Sequence, residues 1–316
     1  MPETLTATTH VSVTKLAGHI GAEISGVDSG APLSDEVIAQ IRQALLDHKV
    51  VFLRGQSLNY RRQVAFAERL GPLTLGHPTL ASPPGQPLLE EIDSLKGGKA
   101  NYWHTDVTFV DRPPAFTLLH AVVIPPTGGD TIWANTASAY QDLPPELRDL
   151  ADRLRVVHTN DFDYARTFNR GEQVDPALAA AHEEFVSTVY ETEHPLVRVH
   201  PETRERSLLL GGFARTVLGF TASASRDLIR LLQDYITRPE HTVRWRWRQD
   251  DLAIWDNRAT QHYAIADYGS AHRRGERVTV AGPVPVGVDG RPSVAVRGDA
   301  SAYYVGDTDR LEDSTS

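Results

Sequence analysis

Two imidazoles and one carboxylate are the residues of this chain best suited to chemistry. His104 and Asp106 stand one residue apart in Asn101-Tyr-Trp-His-Thr-Asp-Val-Thr-Phe109, and His262 follows far down the chain. Together they could occupy one face of a non-haem Fe(II) and leave three positions open, an arrangement that suits an oxygenase. The chain has no cysteine, which excludes disulfides and thiolate metal sites and leaves His, Asp and Glu as the strong ligands. Two further His-x-acid pairs, His182/Glu184 and His200/Glu202, read differently. Ala-Ala-Ala-His182-Glu-Glu-Phe is the polar side of a helix, and His200-Pro-Glu-Thr-Arg is a turn between extended segments, so both are expected to be structural or solvated. The aromatic and β-branched neighbours of His104 instead favour a half-buried strand over 102–109, which would point His104 and Asp106 to one side.

Longer strings surround these residues. Trp-His104-Thr-Asp106-Val-Thr-Phe, Gly-Gly-Asp-Thr131-Ile-Trp-Ala-Asn-Thr and Trp-Asp-Asn-Arg-Ala-Thr-Gln-His262-Tyr-Ala are followed by Arg273 and Arg277. In these stretches, and over most of residues 11–290, the chain resembles the taurine dioxygenase family of Fe(II)- and 2-oxoglutarate-dependent enzymes, most of all its type II alkylsulfatase branch. The resemblance implies a double-stranded β-helix, or distorted jelly roll, with Fe(II) on His104, Asp106 and His262 and dioxygen as oxidant. It implies that Arg273 and Thr131 hold the distal carboxylate of 2-oxoglutarate, a task suited to the planar guanidinium fork. It also implies that Arg277, His77 and the backbone N–H of Val107 grip a sulfonate or sulfate. No catalytic group beyond the metal ligands is expected.

The taurine enzymes hold the substrate amine with a Tyr and an Asn where this chain has Leu80 and Ala100. An apolar organic group is therefore expected in place of taurine, with Phe162 and Phe213 as candidate lining. The expected reaction is hydroxylation of the carbon bearing a sulfate ester, giving an aldehyde and sulfate beside succinate and CO2. His77 and Arg277 do not by themselves separate sulfate from phosphate, so a sulfonate, an aryloxyalkanoate or a phosphate-bearing, nucleotide-like substrate stays open. A second alternative is a metal-binding jelly-roll protein without turnover.

Composition narrows the class. With 316 residues, 41% of them hydrophobic, the chain can bury a substantial core, and a single domain over 11–300 is expected. A formal charge of −9 without a basic block argues against a nucleic-acid polymer as partner. No apolar run reaches the roughly 20 residues of a membrane span, and the N-terminus lacks a signal-peptide pattern, so a cytoplasmic enzyme acting on an anionic small molecule is expected. The family suggests a homo-oligomer, a dimer or tetramer.

The elements that must position the site follow from periodicity. Residues 11–30 suggest a hairpin, Ser34 caps a helix with Val37, Ile38, Ile41, Ala44 and Leu45 at helical spacing, and Val50–Leu53 reads as a buried strand. A second helix is expected over 60–70. Residues 74–100, rich in Pro and Gly, read as a long loop carrying His77. Further strands are expected over 116–123, 131–134, 196–199, 207–210, 242–248, 252–256 and 277–281, with a helix over 225–236 and a helical insertion over 144–190. Residues 1–10 and 301–316 read as flexible ends. The many short strands give a mainly β jelly roll with flanking helices.

Overall fold

The computed structural model describes residues 11–97, 100–161 and 176–305. The first segment folds back on itself as antiparallel strands β1 (Ser12–Lys15) and β2 (Ala22–Ser25). Helix α1 (Asp35–His48) begins where Ser34 Oγ accepts the Val37 N–H at 3.4 Å, carries Asp35 and Glu36 at its positive end, and buries the five apolar residues that recur at helical spacing. Strand β3 (Val50–Leu53) and helix α2 (Tyr60–Glu68) follow. Next come β4 (Glu90–Asp93), β5 (Phe116–Val123) and β6 (Thr131–Asn135), then α3 (Thr136–Gln141) and α4 (Pro145–Ala151). The middle of the chain supplies β7 (Arg155–Thr159), α5 (Pro176–Phe185), β8 (Glu191–Pro195), β9 (Val197–Val199), β10 (Arg206–Leu208), β11 (Ala214–Val217) and α6 (Ala222–Ile236). The last strands are β12 (Thr242–Trp245), β13 (Leu252–Asp256), β14 (Thr260–Ala264), β15 (Arg274–Val280) and β16 (Val294–Arg297).

A seven-stranded sheet in the order β1-β2-β3-β13-β5-β15-β4 and a three-stranded sheet in the order β12-β6-β14 form the jelly roll. Successive strand side chains face opposite ways, so the central strands β3, β13 and β5 of the large sheet feed two cores. Val51 and Leu53 join Leu118, Ile254 and the buried side of α1 in one cluster. Val50 and Phe52 join Trp133, Trp245 and Trp255 in another. Phe52 stacks on Trp245 at 4.1 Å between ring centroids and meets Trp133 edge-on at 5.2 Å, which couples the two sheets.

The chain passes from the centre of the large sheet to the edge of the small one between β13 and β14, and a buried charge cluster holds that corner. Asp256 accepts hydrogen bonds from the backbone N–H, Nε and Nη2 of Arg258, each at 2.8 Å, and from His200 Nε2 at 2.9 Å. His200 Nδ1 accepts the N–H groups of Glu202 and Thr203, so its proton sits on Nε2. Burial pushes the Asp256 carboxyl up, but Arg258 and His200 outweigh it and hold the group well below the usual carboxylate range.

Several expectations need correction. Residues 102–109 do not form a strand: only His104 pairs with another segment, and the chain turns immediately afterwards because Val107 adopts a left-handed φ of 52°. The loop over 74–100 contains β4, whose acidic sequence hid it from a hydrophobic reading. The helical stretch over 144–190 contains β7 as well as α4 and α5. Strand β12 ends at Trp245, although the alternation continues to bury Trp247 between exposed arginines. In the expected tail Tyr303 and Tyr304 are buried, with the Tyr304 hydroxyl 3.1 Å from Asp111 Oδ1. The stretches 1–10 and 306–316 lie outside the described residues. No described helix is long and apolar enough to cross a membrane.

Removing the corner carboxylate tests its role. Asp256→Ala should cost about 3–5 kcal/mol, because buried Arg258 would keep only Glu202 as an ionic partner and buried His200 would lose its acceptor, and this should appear as a lower denaturant midpoint. Since the folded pKa is depressed, the stabilisation is complete above the unfolded value of about 4 and is lost as pH falls through the folded one. The difference between wild type and variant should therefore shrink in acid.

Candidate active site

His104 and His262 are brought together by the backbone before their side chains meet. The His104 N–H donates to the His262 carbonyl at 3.1 Å and the His262 N–H to the His104 carbonyl at 2.8 Å, an isolated antiparallel bridge between the segment before Asp106 and β14. Gly212 permits the approach on the other side: its N–H donates to the Trp103 carbonyl at 2.7 Å, and a Cβ there would lie 2.3 Å from the Tyr102 ring. The two imidazole rings lie 4.1 Å apart, and Nε2 of each is 3.7 Å from Asp106 Oδ1. One donor atom from each of the three residues falls within 4.8 Å of the others, all of them buried.

The protonation states fit a divalent cation. His104 Nδ1 donates to the Tyr102 carbonyl at 2.9 Å, which turns the Nε2 lone pair towards Asp106. Burial pushes both imidazoles down and favours their neutral form, the form that ligates. Burial would push Asp106 up, but Arg277, His262 and His104 outweigh it and keep the carboxylate ionised. Its other oxygen accepts from Thr117 Oγ1 at 2.9 Å, and Asn257 Nδ2 donates to that hydroxyl at 2.6 Å. Two neutral imidazoles and one carboxylate, with no sulfur, make a donor set that fits Fe(II).

Thr131 and Arg273 also come together. Arg273, just before β15, is 6% exposed; its Nε donates to the Gly129 carbonyl at 3.0 Å and its Nη2 reaches Thr131 Oγ1 at 3.4 Å. Trp247 Nε1 donates to the same hydroxyl at 2.9 Å. Trp247 alternates with Arg246 and Arg248 in the sequence, a pattern that marks it only as one face of a strand. The adjacent Arg274 is half-buried and pairs with Glu91 at 2.8 Å and Glu276 at 3.3 Å.

On the opposite side of the metal donors a pocket is lined by His77, Leu80, Glu90, Ala100, Val107, Phe213 and Arg277, among others. Arg277 was expected to need an anion there, and the protein itself supplies two. Nη1 donates to Asp106 Oδ1 at 2.6 Å and Nη2 to Glu90 Oε2, while Nε has no hydrogen-bond partner among the described residues. Glu90 is the direct cross-strand neighbour of Arg277, with β4 beside β15. Its place within an apparent loop left no periodic signal for the sequence reading.

His77 is 8% exposed, and its Nδ1 accepts the N–H groups of Thr79 and Leu80, both at 3.1 Å. Burial, reinforced by Arg277, pushes its pKa down to about 3, so the ring is neutral with its proton on Nε2. Val107 takes a left-handed backbone that is strained for a β-branched side chain. The following residue anchors this turn: Thr108 Oγ1 lies 2.9 Å from His158 Nδ1, and the Thr108 carbonyl accepts from His194 Nε2 at 2.7 Å.

Leu80 and Ala100 both face the pocket, as does Phe213, which meets Phe109 edge-on at 5.0 Å. Phe162 lies outside the described residues. His182 and Glu184, expected on a solvated helix face, lie on α5 at the pocket wall, where Glu184 Oε1 accepts the Ala81 N–H at 2.6 Å. His200 is buried in the corner cluster and is not solvated.

Comparison with known proteins agrees with this geometry. Residues 12–279 match the family described as taurine catabolism dioxygenase TauD, TfdA family. An alpha-ketoglutarate-dependent sulfate ester dioxygenase of Pseudomonas putida is 50% identical over 289 residues, covering 91% of this chain and 95% of that protein. An alkylsulfatase of Acinetobacter baylyi is 49% identical over 285 residues, covering 90% and 89% respectively. Among solved structures, a taurine dioxygenase from Burkholderia xenovorans superposes with a TM-score of 0.77 at 41% identity, covering 94% of this chain and 99% of that one.

Metal binding separates the three histidine pairs. His104→Ala or Asp106→Ala should abolish stoichiometric Fe(II) binding in anaerobic equilibrium dialysis. His182→Ala should leave binding nearly intact, and His200→Ala should lower stability without removing the metal. Loss of the metal in His182→Ala with retention in His104→Ala would overturn the assignment.

Proposed function

The chain belongs to the taurine catabolism dioxygenase TauD, TfdA family, and on that premise we propose that it oxidises an alkyl sulfate ester at the carbon bearing the sulfate. It is a 2-oxoglutarate-dependent dioxygenase, with Fe(II), 2-oxoglutarate and dioxygen as its reactants and cofactor. The sulfate-ester reading draws on the two relatives near 50% identity and on one observation in the pocket. An anion-binding group, Arg277, and a neutral N–H donor, His77, lie beside the metal donors, while Leu80, Ala100 and Phe213 supply an apolar wall.

His104, Asp106 and His262 would hold the iron, with Thr117 and Asn257 fixing the carboxylate that completes the set. Bound Fe(II) supplies the redox chemistry that couples decarboxylation of 2-oxoglutarate to succinate and CO2 with transfer of one oxygen atom to substrate carbon. Arg273 binds the distal carboxylate of 2-oxoglutarate together with Thr131, whose hydroxyl Trp247 orients. On the substrate side Arg277 attracts the ester anion, His77 offers its Nε2 proton, and the strained turn at Val107 sets a backbone N–H beside them. The apolar wall excludes water and takes the alkyl chain.

Hydroxylation gives a carbon carrying both OH and O-sulfate. Loss of the hydroxyl proton forms the aldehyde C=O as the C–O bond to sulfate breaks, and sulfate leaves with the bonding electrons. The S–O bonds of the ester are untouched.

Octyl sulfate supplied with Fe(II), 2-oxoglutarate and air should give octanal, sulfate and succinate in equal amounts. Sulfate release that persists without oxygen would indicate hydrolysis and overturn the reading. Arg273→Ala should weaken 2-oxoglutarate binding by about 1.5–3 kcal/mol, the worth of a charge-assisted pair, and leave Fe(II) binding unchanged. Unaltered affinity would move that role to another cation. His77→Ala should raise KM for octyl sulfate and increase succinate formed without octanal, because substrate is then held less well; equal kinetics for the two proteins would remove His77 from the site.

A further inference from the structure

The pocket assigned to an anionic substrate is itself acidic. Its described lining carries five carboxylates, those of Glu90, Glu91, Asp93, Asp106 and Glu184, against the cations Lys96 and Arg277. Both cations are already engaged: Lys96 pairs with Glu91 at 2.5 Å, and Arg277 bonds Asp106 and Glu90. His77 adds a donor without adding charge, since its ring is neutral.

Glu90 is the carboxylate of this set that shares Arg277 with the metal donor Asp106; burial pushes its carboxyl up, and the ion pair with Arg277 opposes that push. Its place is fixed by the sheet: β4 runs beside β15 with Glu90 directly opposite Arg277, and both side chains are buried. Like charges in a site of low dielectric repel strongly, whereas one negative charge beside a shared guanidinium is tolerated. An alkyl sulfate carries one negative charge at neutral pH. A phosphate monoester has a second pKa of about 6 and carries nearly two.

We propose that Glu90 determines the charge selectivity of the substrate site: by occupying one edge of the Arg277 guanidinium it leaves capacity for a monoanionic sulfate ester and rejects a dianionic phosphate monoester. The proposal rests on the reading of Arg277 as the substrate-anion residue. It answers a question that the tetrahedral shape shared by the two anions leaves open. Glu90 acts as a specificity residue, and the chemical steps do not pass through it.

The test is equilibrium binding at pH 7.5 to the anaerobic protein loaded with Fe(II) and 2-oxoglutarate. Its probes are octyl sulfate, octyl phosphate and methyl octyl phosphate, a phosphate diester with a single charge. In the unmodified protein, octyl phosphate should bind at least about tenfold more weakly than either monoanion, as expected for one added like charge beside a buried carboxylate. Glu90→Gln keeps the size and a hydrogen-bonding oxygen, and should narrow the ratio of octyl sulfate to octyl phosphate affinity by about tenfold. An unchanged gap in Glu90→Gln would overturn the proposal, as would equal binding of the two phosphates by the unmodified protein. The second comparison needs no variant and can refute the proposal by itself; if Glu90→Gln fails to fold, Glu90→Met, uncharged and of similar volume, is measured for the same gap. Absence of octyl sulfate binding, with the gap between the two phosphates intact, would overturn the sulfate-ester reading and leave the charge selectivity standing.

Discussion

A guanidinium buried between two carboxylates organises the wall of the pocket beside the candidate metal donors. Arg277 is 6% exposed, and an isolated charge at such depth would be prohibitively costly. Asp106 and Glu90 make it tenable, and each link has a structural consequence. Through Asp106 the guanidinium touches the metal donor set and keeps the carboxylate ionised against its own burial. Through Glu90 it ties β15 to the edge strand β4, which brings an otherwise loop-like segment against the pocket. The same contact that stabilises the cation therefore limits how much further negative charge the pocket can accept.

The metal donors depend on a different device, backbone pairing between segments far apart in sequence. The reciprocal hydrogen bonds of His104 and His262 fix the distance between their Cα atoms, and burial against Trp133 and Trp255 confines the His262 ring. That pairing needs the chain to leave the large sheet after β13 and enter the small one as β14. The Asp256, Arg258 and His200 cluster holds the corner where it does so. A stability feature thus sits only a few residues from the site and sets its geometry without touching a ligand.

Periodic elements were legible in the sequence because burial writes directly onto residue type. The apolar spacing of α1, the runs of β3 and β13, and the alternating Trp and Arg before residue 249 each carry one face of a core. The candidate donors were legible through their ordered neighbours, which is a resemblance and not a derivation. The details that were missed have physical causes in common. Strand β4 is stabilised by cross-strand ion pairs, Glu90 with Arg277 and Glu91 with Arg274, and hydrophobic periodicity is blind to these. The turn at Val107 places a β-branched residue where local preference forbids it, so sequence reasoning extended the strand through it. Trp247 looked like ordinary core until its indole N–H was found on Thr131.

Local rules failed most clearly where the site asks for something costly. A left-handed valine carries strain that persists only if its surroundings enforce it. Here the buried ring nitrogens of His158 and His194 reach Thr108, the residue that follows Val107, and Asp106 is held just before it by Thr117. The turn is therefore clamped on both sides, with one clamp belonging to the metal donor set. Its strain is borne by polar contacts that lie deep in the fold and away from solvent, so the backbone N–H at Val107 is held in one position. A pocket whose neutral donors are fixed in advance, and whose one deep cation is already shared, can recognise a weakly hydrated monoanion without depending on a large excess of positive charge.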